Sequence, residues 1–189
     1  MEGKIDKVSE KDQQRPAAKE YDKEIEVWDA YDASFAKIEG KKLMRGEPIP
    51  PGVFHLVCDI LVKHTDDTYL LMERDVRKPY GGMWEASAGG SALAGETPLQ
   101  CAVRELREET GIQSDDLIEL GEEIDAGTHA VYVEFLCITD GNKNEISLQD
   151  GETTAYKWVT RQELLSMKEE ELVTERMQKY INELYEQGT

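Results

Sequence analysis

The spacing of apolar and polar residues predicts strands on either side of one well-defined helix. Residues 54–62 are almost continuously apolar, which is typical of a strand buried on both faces. Asp66 and Asp67 mark a turn, and residues 69–73 read as the antiparallel partner. Residues 129–139 alternate well enough to predict a further strand.

The pattern also predicts elements before and after this central part. Residues 24–32 alternate like a strand, which we expect to turn near Gly40 and to return through residues 42–44. Three prolines and two glycines make residues 45–52 a loop. Residues 155–159 predict a later strand. The apolar positions of the first strand are Ile25, Val27 and Ala30.

Two helices are predicted at the C-terminal end. Thr160 suits the N-cap of a helix that continues to Met167, because Glu163 stands at the capping-box position. Residues 169–187 form an amphipathic pattern that predicts a single closing helix. Its expected core contacts are Leu172, Met177, Tyr180, Ile181 and Leu184.

The best-defined helix lies in the middle of the chain. Thr97 is suited to be its N-cap, Pro98 to its first turn, and Gln100 to the capping box. Gly111 can adopt the left-handed conformation that ends it. The apolar face toward the core is predicted to consist of Leu99, Ala102, Val103 and Leu106.

Three glutamates share another face of this helix. Glu105, Glu108 and Glu109 have the spacing i, i+3, i+4, so their charges repel by about a few tenths of a kcal/mol per pair. A hard cation such as Mg²⁺ would remove this repulsion, because it prefers oxygen ligands. The alternative is an ordinary solvated helix face, partly neutralised by Arg104 and Arg107.

Residues 90–112 resemble the Nudix box, the pattern G-x5-E-x7-R-E-U-x-E-E-x-G-U in which U is aliphatic. All nine fixed positions are filled, by Gly90, Glu96, Arg104, Glu105, Leu106, Glu108, Glu109, Gly111 and Ile112. The resemblance implies an α/β/α sandwich with a mixed β-sheet. It also implies a loop-helix-loop that binds Mg²⁺ or Mn²⁺ and positions a diphosphate.

The resemblance also assigns the expected metal ligands. Glu105, Glu108 and Glu109, with the carbonyl of Gly90, would hold one to three Mg²⁺ or Mn²⁺ ions. The bound metal would lower the pKa of a water and align it for attack at phosphorus. The expected activity is hydrolysis of a diphosphate that links a nucleoside, or a related organic group, to another moiety.

Other residues of the box would support this chemistry. The resemblance implies that Arg104 orients the carboxylates and that Glu96 braces the loop. Glu105 is the first candidate for the general base. Glu152 is a second candidate from a later loop, where a solvated carboxylate is the alternative.

A second resemblance concerns the branch of the family. Residues 26–32, 45–47 and 54–56 resemble Nudix proteins related to type I isopentenyl diphosphate isomerases. Those isomerases need a catalytic cysteine and, two residues later, a metal-binding histidine. Gly89 and Ser91 stand at these positions here. We therefore expect a hydrolase on an isomerase-like frame, with an isomerase or a non-catalytic ligand-sensing module as the alternatives.

Cationic residues outside the box are candidates for substrate binding. Arg74, Arg77 and Lys78 lie in a basic, glycine-containing loop of an otherwise acidic chain, where they can meet phosphates or stay solvated. His55 matches another histidine of the isomerase metal site. Contact with the substrate and simple packing in a strand are both open for His55.

Charge and composition limit the partners. The formal net charge of −18 argues against binding to nucleic acid polymers or anionic membranes. The partner that the family resemblance implies is a small-molecule diphosphate substrate. Cys58, Cys101 and Cys137 are widely spaced in apolar settings and predict reduced core thiols. The first residues show no apolar signal segment, from which we expect a cytoplasmic protein.

The length of 189 residues predicts one domain, and the resemblance implies a Nudix domain over residues 23–189, preceded by a polar arm over residues 1–22. The family resemblance and the segment around Trp28 allow for a homodimer.

Overall fold

The computed structural model describes residues 25–186. The predicted polar arm lies outside the described residues. The strands are β1 (Val27–Tyr31), β2 (Lys37–Met44), β3 (His55–His64), β4 (Thr68–Arg74), β5 (Trp84–Glu85), β6 (Ala88–Ser91), β7 (Leu117–Asp125), β8 (Ala130–Thr139) and β9 (Thr153–Thr160). The helices are α1 (Pro98–Thr110), α2 (Arg161–Ser166) and α3 (Arg176–Glu186), and a 3₁₀ turn spans Glu169–Glu171.

A mixed seven-stranded sheet lies between the helices. Its main order is β5-β4-β3-β8-β7, with β6 paired to β3 and β9 paired to β4. The β3–β8 pair is parallel, whereas the other pairs are antiparallel. Helix α1 packs on one face of the sheet, and α2 and α3 pack on the other. This arrangement confirms the expected α/β/α sandwich.

The sheet opens between two of its central strands. Among the described residues, the pairing between β3 and β4 is limited to Lys63 opposite Tyr69. Beyond that point β6 runs along β3, and β5 runs along β4. The short strands β5 and β6 therefore form the two sides of an opening in the sheet, and the box begins on one of these sides.

Apolar packing on both faces holds the sandwich together. The even-numbered positions of β3, including Leu56 and Ile60, face α1, while Leu61 faces the helices on the other side. Each fully buried side chain of this kind contributes about 1.5–3 kcal/mol. Cys58, Cys101 and Cys137 are buried free thiols, as predicted.

The first hairpin differs from its prediction. Its turn lies just after β1, whereas Gly40 lies within β2. Asp32 Oδ1 accepts hydrogen bonds from the backbone N–H groups of Ser34 (2.8 Å) and Ala36 (3.1 Å), which fixes the turn early. Ile25 and Val27 are exposed, and the buried residues of β1 are Trp28, Asp29 and Ala30.

The prediction of one continuous closing helix over residues 169–187 is also wrong. The segment after the 3₁₀ turn is extended, because Val173 donates its backbone N–H to the carbonyl of Trp84 at 2.9 Å. Leu172 forms an isolated parallel bridge with Trp84 for the same reason. Helix α3 therefore starts only at Arg176. The expected burial of Leu172, Met177, Tyr180 and Ile181 is confirmed, and the side chain of Leu184 lies outside the described part.

Helix α1 is rotated slightly from its predicted orientation. Leu99 is 43% exposed, so it does not belong to the core face. Cys101, Ala102 and Leu106 are fully buried, and the carboxylate-bearing residue Glu109 is buried beside them. The rotation brings one of the three glutamates from the solvent toward the opening in the sheet.

Within residues 25–186, no helix combines the length and the apolar content that crossing a bilayer would require.

Candidate active site

A cleft of about 630 Å³ occupies the opening in the sheet. This volume falls in the range of small-molecule sites. One wall is formed by α1 and the glycines of β6, and the other by β5 and the loop after β4. The segment before α3 lines a third side. Charged side chains from all three sides line the cleft, among them Asp59, Lys78, Glu105, Glu109, Glu152 and Arg176.

The ends of α1 are fixed by its own sequence. Thr97 Oγ1 accepts the backbone N–H of Gln100, and the Gln100 side chain accepts the backbone N–H of Thr97, which completes the predicted capping box. Gly111 ends the helix with φ of 78°, and its N–H bonds to the carbonyl of Arg107. These caps fix where the glutamates of α1 lie relative to the sheet.

Two of the glutamates contact the glycines of β6. The backbone N–H of Gly89 donates to Glu109 Oε2 at 3.0 Å. A Cβ at Gly90 would collide with the carboxylate of Glu105, so any other residue here would displace that carboxylate. Glu105 and Glu109 therefore meet the same two-residue stretch of backbone.

Burial and mutual repulsion perturb these carboxylates. Burial, with the nearby charges of Glu105 and Glu85, raises the pKa of Glu109 to about 8. Burial also raises the pKa of Glu105, and the charge of Arg104 only partly opposes this rise. A cluster of buried carboxylates with raised pKa values is stabilised by a cation placed between them.

Arg104 ties the box together. Its guanidinium makes a bidentate pair with Glu96, with Nε–Oε1 at 2.8 Å and Nη2–Oε2 at 2.9 Å. Nη1 donates to Glu105 at 2.5 Å and, more weakly, to Glu108 at 3.4 Å. Glu96 also accepts the backbone N–H of Leu93 at 2.8 Å. The loop before α1 and the carboxylates on α1 are thus joined through one side chain.

The donor set fits a hard divalent cation. Glu105 and Glu109 supply carboxylate oxygens beside the Gly90 backbone, and such cations prefer oxygen ligands. Among residues 25–186, however, no three His, Cys, Asp or Glu side chains already converge on a metal position. Arg104 donates hydrogen bonds to oxygens of Glu105 and Glu108, so these side chains would have to move for a metal to bind.

The predicted basic loop divides into residues inside and outside the cleft. Arg74 and Lys78 line the cleft, where Arg74 pairs with Glu85 and Lys78 pairs with Glu152. Arg77 lies outside the cleft lining. It is held by Asp75, through Nε at 2.8 Å and Nη2 at 2.6 Å, and its side chain is 63% exposed.

His55 also lies outside the cleft lining. Its ring stacks on Trp28, with centroids 4.5 Å apart and planes inclined by 17°. Its Nδ1 lies 2.9 Å from the carbonyl oxygen of His129. Burial lowers the pKa of His55, which favours the neutral ring. These contacts place the residue in the packing between the first hairpin and the sheet.

Sequence reasoning missed a charged cluster at the far side of the cleft. Arg176 donates from Nη2 to Asp59 Oδ2 at 2.9 Å and from Nε to Glu134 Oε1 at 3.0 Å, while its guanidinium covers the ring of Tyr132 at 3.6 Å. Burial and the charge of Asp59 raise the pKa of Glu134. The sequence contained a signal for this cluster, because Asp59 and Glu134 interrupt apolar strands and a buried carboxylate needs a partner.

Comparison with known proteins places this chain in a family. The NUDIX domain model matches residues 53–184. An uncharacterized Nudix hydrolase of Listeria monocytogenes is 32% identical over 154 residues, and the match covers 76% of this chain and 85% of that protein.

Two solved structures share the fold at low sequence identity. DR0079 from Deinococcus radiodurans superposes with a TM-score of 0.69 and 16% identity, over 85% of this chain and 99% of that chain. The NUDIX domain of Shewanella oneidensis NrtR, solved with ADP ribose, gives a TM-score of 0.57 and 20% identity, over 70% and 88% of the two chains.

Proposed function

The chain is a hydrolase of the Nudix family, and from this premise we propose that it cleaves an organic diphosphate by metal-assisted attack of water at phosphorus. The observation that carries the proposal is the meeting of Glu105 and Glu109 at the backbone of Gly89 and Gly90. Because these two glycines carry no side chains, the carboxylates can approach the backbone closely, which brings carboxylate and peptide groups together at one place. Mg²⁺ and Mn²⁺ are the cations that this oxygen donor set suits.

The chain's own residues have separate tasks in this reaction. Glu105, Glu109 and the Gly90 carbonyl would hold the cation, with Glu108 as a more exposed additional ligand. The bound cation would supply charge neutralisation at the phosphates and a lowered pKa for the attacking water. Arg104, fixed by Glu96, keeps the carboxylates in place when no cation separates them.

A proton must leave the water as its oxygen bonds to phosphorus. Glu105 is our first candidate to accept this proton, because it lies beside Gly90 at the centre of the site. Glu152 is the second candidate, since it lines the cleft from a different loop. Its pairing with Lys78 means that Lys78 must move before Glu152 can accept a proton.

The phosphates themselves would meet cations of the opposite wall. Lys78 and Arg74 line the cleft there, and both are paired with carboxylates that a phosphate could replace. The cleft volume of about 630 Å³ accommodates a nucleoside diphosphate linked to a further group. That class of substrate is the one we propose.

The isomerase alternative is disfavoured by the space around Gly89. A Cβ at this position would collide with Asp59 Oδ1 and would lie 3.0 Å from the carbonyl oxygen of Cys58. A cysteine at this position would therefore require Asp59 to move and would crowd the Cys58 carbonyl. This contact supports a hydrolase on a frame that resembles the isomerase branch.

A product-release screen tests the proposal. Purified protein would be offered nucleotide sugars, dinucleoside polyphosphates, ADP-ribose, nucleoside triphosphates and isopentenyl diphosphate, each with Mg²⁺, with Mn²⁺ and with chelator. Each reaction would be analysed by chromatography of all products and repeated with Glu109→Gln. We expect metal-dependent cleavage of one substrate class, lowered by orders of magnitude in the variant.

Other outcomes would contradict the proposal. Equal activity in Glu109→Gln would remove the metal role of that carboxylate. Ligand binding by thermal shift without turnover of any compound would favour the sensing module. Conversion of isopentenyl diphosphate to its isomer without phosphate release would favour the isomerase.

A further inference from the structure

Segment 172–176 crosses the opening of the sheet and contacts both of its sides. At one end, Val173 bonds through its N–H to the carbonyl of Trp84 on β5, at 2.9 Å. At the other end, Arg176 is paired with Asp59 on β3 and Glu134 on β8. The C-terminal segment therefore connects the two sides of the cleft, although it lies far from the box in sequence.

Arg176 reduces the charge repulsion between two carboxylates of the sheet. Asp59 and Glu134 are directly opposite each other on the parallel strands β3 and β8. Like charges in such positions destabilise a sheet. The Arg176 fork contacts both of them, and its own side chain is only 19% exposed. The positions of both carboxylates therefore depend on this guanidinium.

Asp59 links Arg176 to Gly89, in the backbone beside the proposed metal site. Its Oδ2 is held by Arg176, while its Oδ1 fills the space that a Cβ would occupy at Gly89, the residue opposite it on β6. The N–H of Gly89 in turn holds Glu109 at 3.0 Å. A continuous path of contacts thus runs from Arg176 through Asp59 and Gly89 to Glu109.

We infer that Arg176 is a positioning residue for the metal site, which it controls by holding Asp59 against Gly89. The inference rests on the proposed function and names a residue outside the box on which metal binding depends. Arg176 does not serve as a phosphate ligand, because two carboxylates already outweigh its single charge. Without Arg176, Asp59 and Glu134 repel each other, and Asp59 no longer fixes the Gly89 peptide.

Binding of Mn²⁺ in the absence of substrate tests this inference apart from turnover. Free Mn²⁺ would be titrated by electron paramagnetic resonance against the full chain, Arg176→Met and Glu109→Gln. We expect the dissociation constant to rise about tenfold or more in Arg176→Met, which is the usual size of effect for residues that orient metal ligands, and at least as much in Glu109→Gln, which loses a proposed ligand. Wild-type affinity in folded Arg176→Met would overturn the inference.

Lys179→Met is the matched control. Lys179 lies on the same helix and pairs with Glu123 at 3.2 Å, but its side chain is 53% exposed and it does not line the cleft. We expect its Mn²⁺ affinity to equal that of the wild type. An equal loss in this control would show that any lost ion pair on α3 has the same effect, and would overturn the specific role of Arg176.

Two further variants keep the test decisive if Arg176→Met is poorly folded. Arg176→Lys keeps the charge but loses the fork, so its Mn²⁺ affinity should fall between those of wild type and Arg176→Met. Glu134→Gln combined with Arg176→Met removes the repulsion at Asp59 and should restore part of the affinity. A folded Arg176→Lys variant that binds Mn²⁺ like the wild type would overturn the inference.

The same titration separates this inference from the proposed function. Failure of the wild type itself to bind Mn²⁺ would contradict the metal-dependent reaction. Normal Mn²⁺ binding in Arg176→Met, with a raised KM for substrate, would instead identify Arg176 as a substrate contact and would overturn only the positioning role.

Discussion

Arg104 and Glu96 form a bidentate ion pair across eight residues of the box, with Nε–Oε1 at 2.8 Å and Nη2–Oε2 at 2.9 Å. The pair determines where the guanidinium lies, and the guanidinium in turn contacts Glu105 at 2.5 Å. Glu96 does not line the cleft, so its influence must pass through Arg104.

This relationship predicts the effect of removing Glu96. Glu96→Gln should lower activity at subsaturating metal by about 10- to 100-fold, because residues that orient metal ligands have effects of this size. The measurement is the Mg²⁺ dependence of turnover, and raised Mg²⁺ should recover part of the loss. The same loss at saturating Mg²⁺ would argue against a role in holding the ligands.

The Lys78–Glu152 pair gives a prediction about substrate affinity. Lys78→Met removes a cation from the cleft wall and should raise KM for an anionic substrate more than it lowers kcat. Arg77→Met should change KM less, because Arg77 lies outside the cleft lining and is occupied by Asp75. Steady-state kinetics of both variants checks this, and equal KM values would contradict the distinction between them.

The space at Gly89 gives a prediction about stability. Gly89→Ala should lower the free energy of unfolding by about 1–3 kcal/mol, because the new Cβ overlaps Asp59 and crowds the Cys58 carbonyl. Urea denaturation measures the change. Gly127→Ala, in the exposed turn between β7 and β8, is the control. Its new Cβ would approach only the side-chain carboxylate of Asp125, at 3.1 Å, which can move into solvent, so the variant should stay within about 0.5 kcal/mol of the wild type. Equal stability of Gly89→Ala would contradict the close contact.

Asp29 gives a prediction about pH. This residue is 3% exposed, and burial alone would raise its pKa, but hydrogen bonds from Lys37, Lys42 and the Gly95 N–H lower its pKa to about 2. A lowered folded-state pKa stabilises the protein above the unfolded value near 3.8 and loses that contribution as pH falls toward 2. The full contribution is about 2 kcal/mol, and about half of it remains at pH 3.

Urea denaturation of the wild type and Asp29→Asn at several pH values checks this. The difference in unfolding free energy should be largest at neutral pH and should shrink between pH 4 and pH 2. A difference that is constant over this range would mean that the stabilisation does not depend on the charge of Asp29.

The N-terminal ends of α1 and α2 could be predicted from residues that are neighbours in the sequence. Both capping boxes, at Thr97 and at Thr160, form as predicted, since a cap depends on residues within one turn of it. Strands β3, β4, β8 and β9 follow from periodicity for a similar reason, whereas β5, β6 and β7 were not predicted. The turn after β1 was misplaced, because the side chain of Asp32 fixes it earlier than Gly40 would.

Contacts between residues that are far apart in the sequence could not be predicted in this way. The closing helix is interrupted by a backbone bond between Val173 and Trp84, and no local pattern reports this bond. Arg176 and Asp59 are 117 residues apart, so their pairing follows only from the topology of the sheet. The box could therefore be found from its spacing, whereas the residues that support it from outside could not.

The most direct test of the central claim is the fate of solvent oxygen. The substrate identified in the screen would be turned over in ¹⁸O-labelled water, and the products would be separated and weighed by mass spectrometry. Water attack at phosphorus predicts one ¹⁸O atom per turnover in a phosphate group of one product, none in the organic groups, and almost no product with Glu109→Gln. Label on carbon, or turnover without incorporation of label, would contradict the proposed reaction.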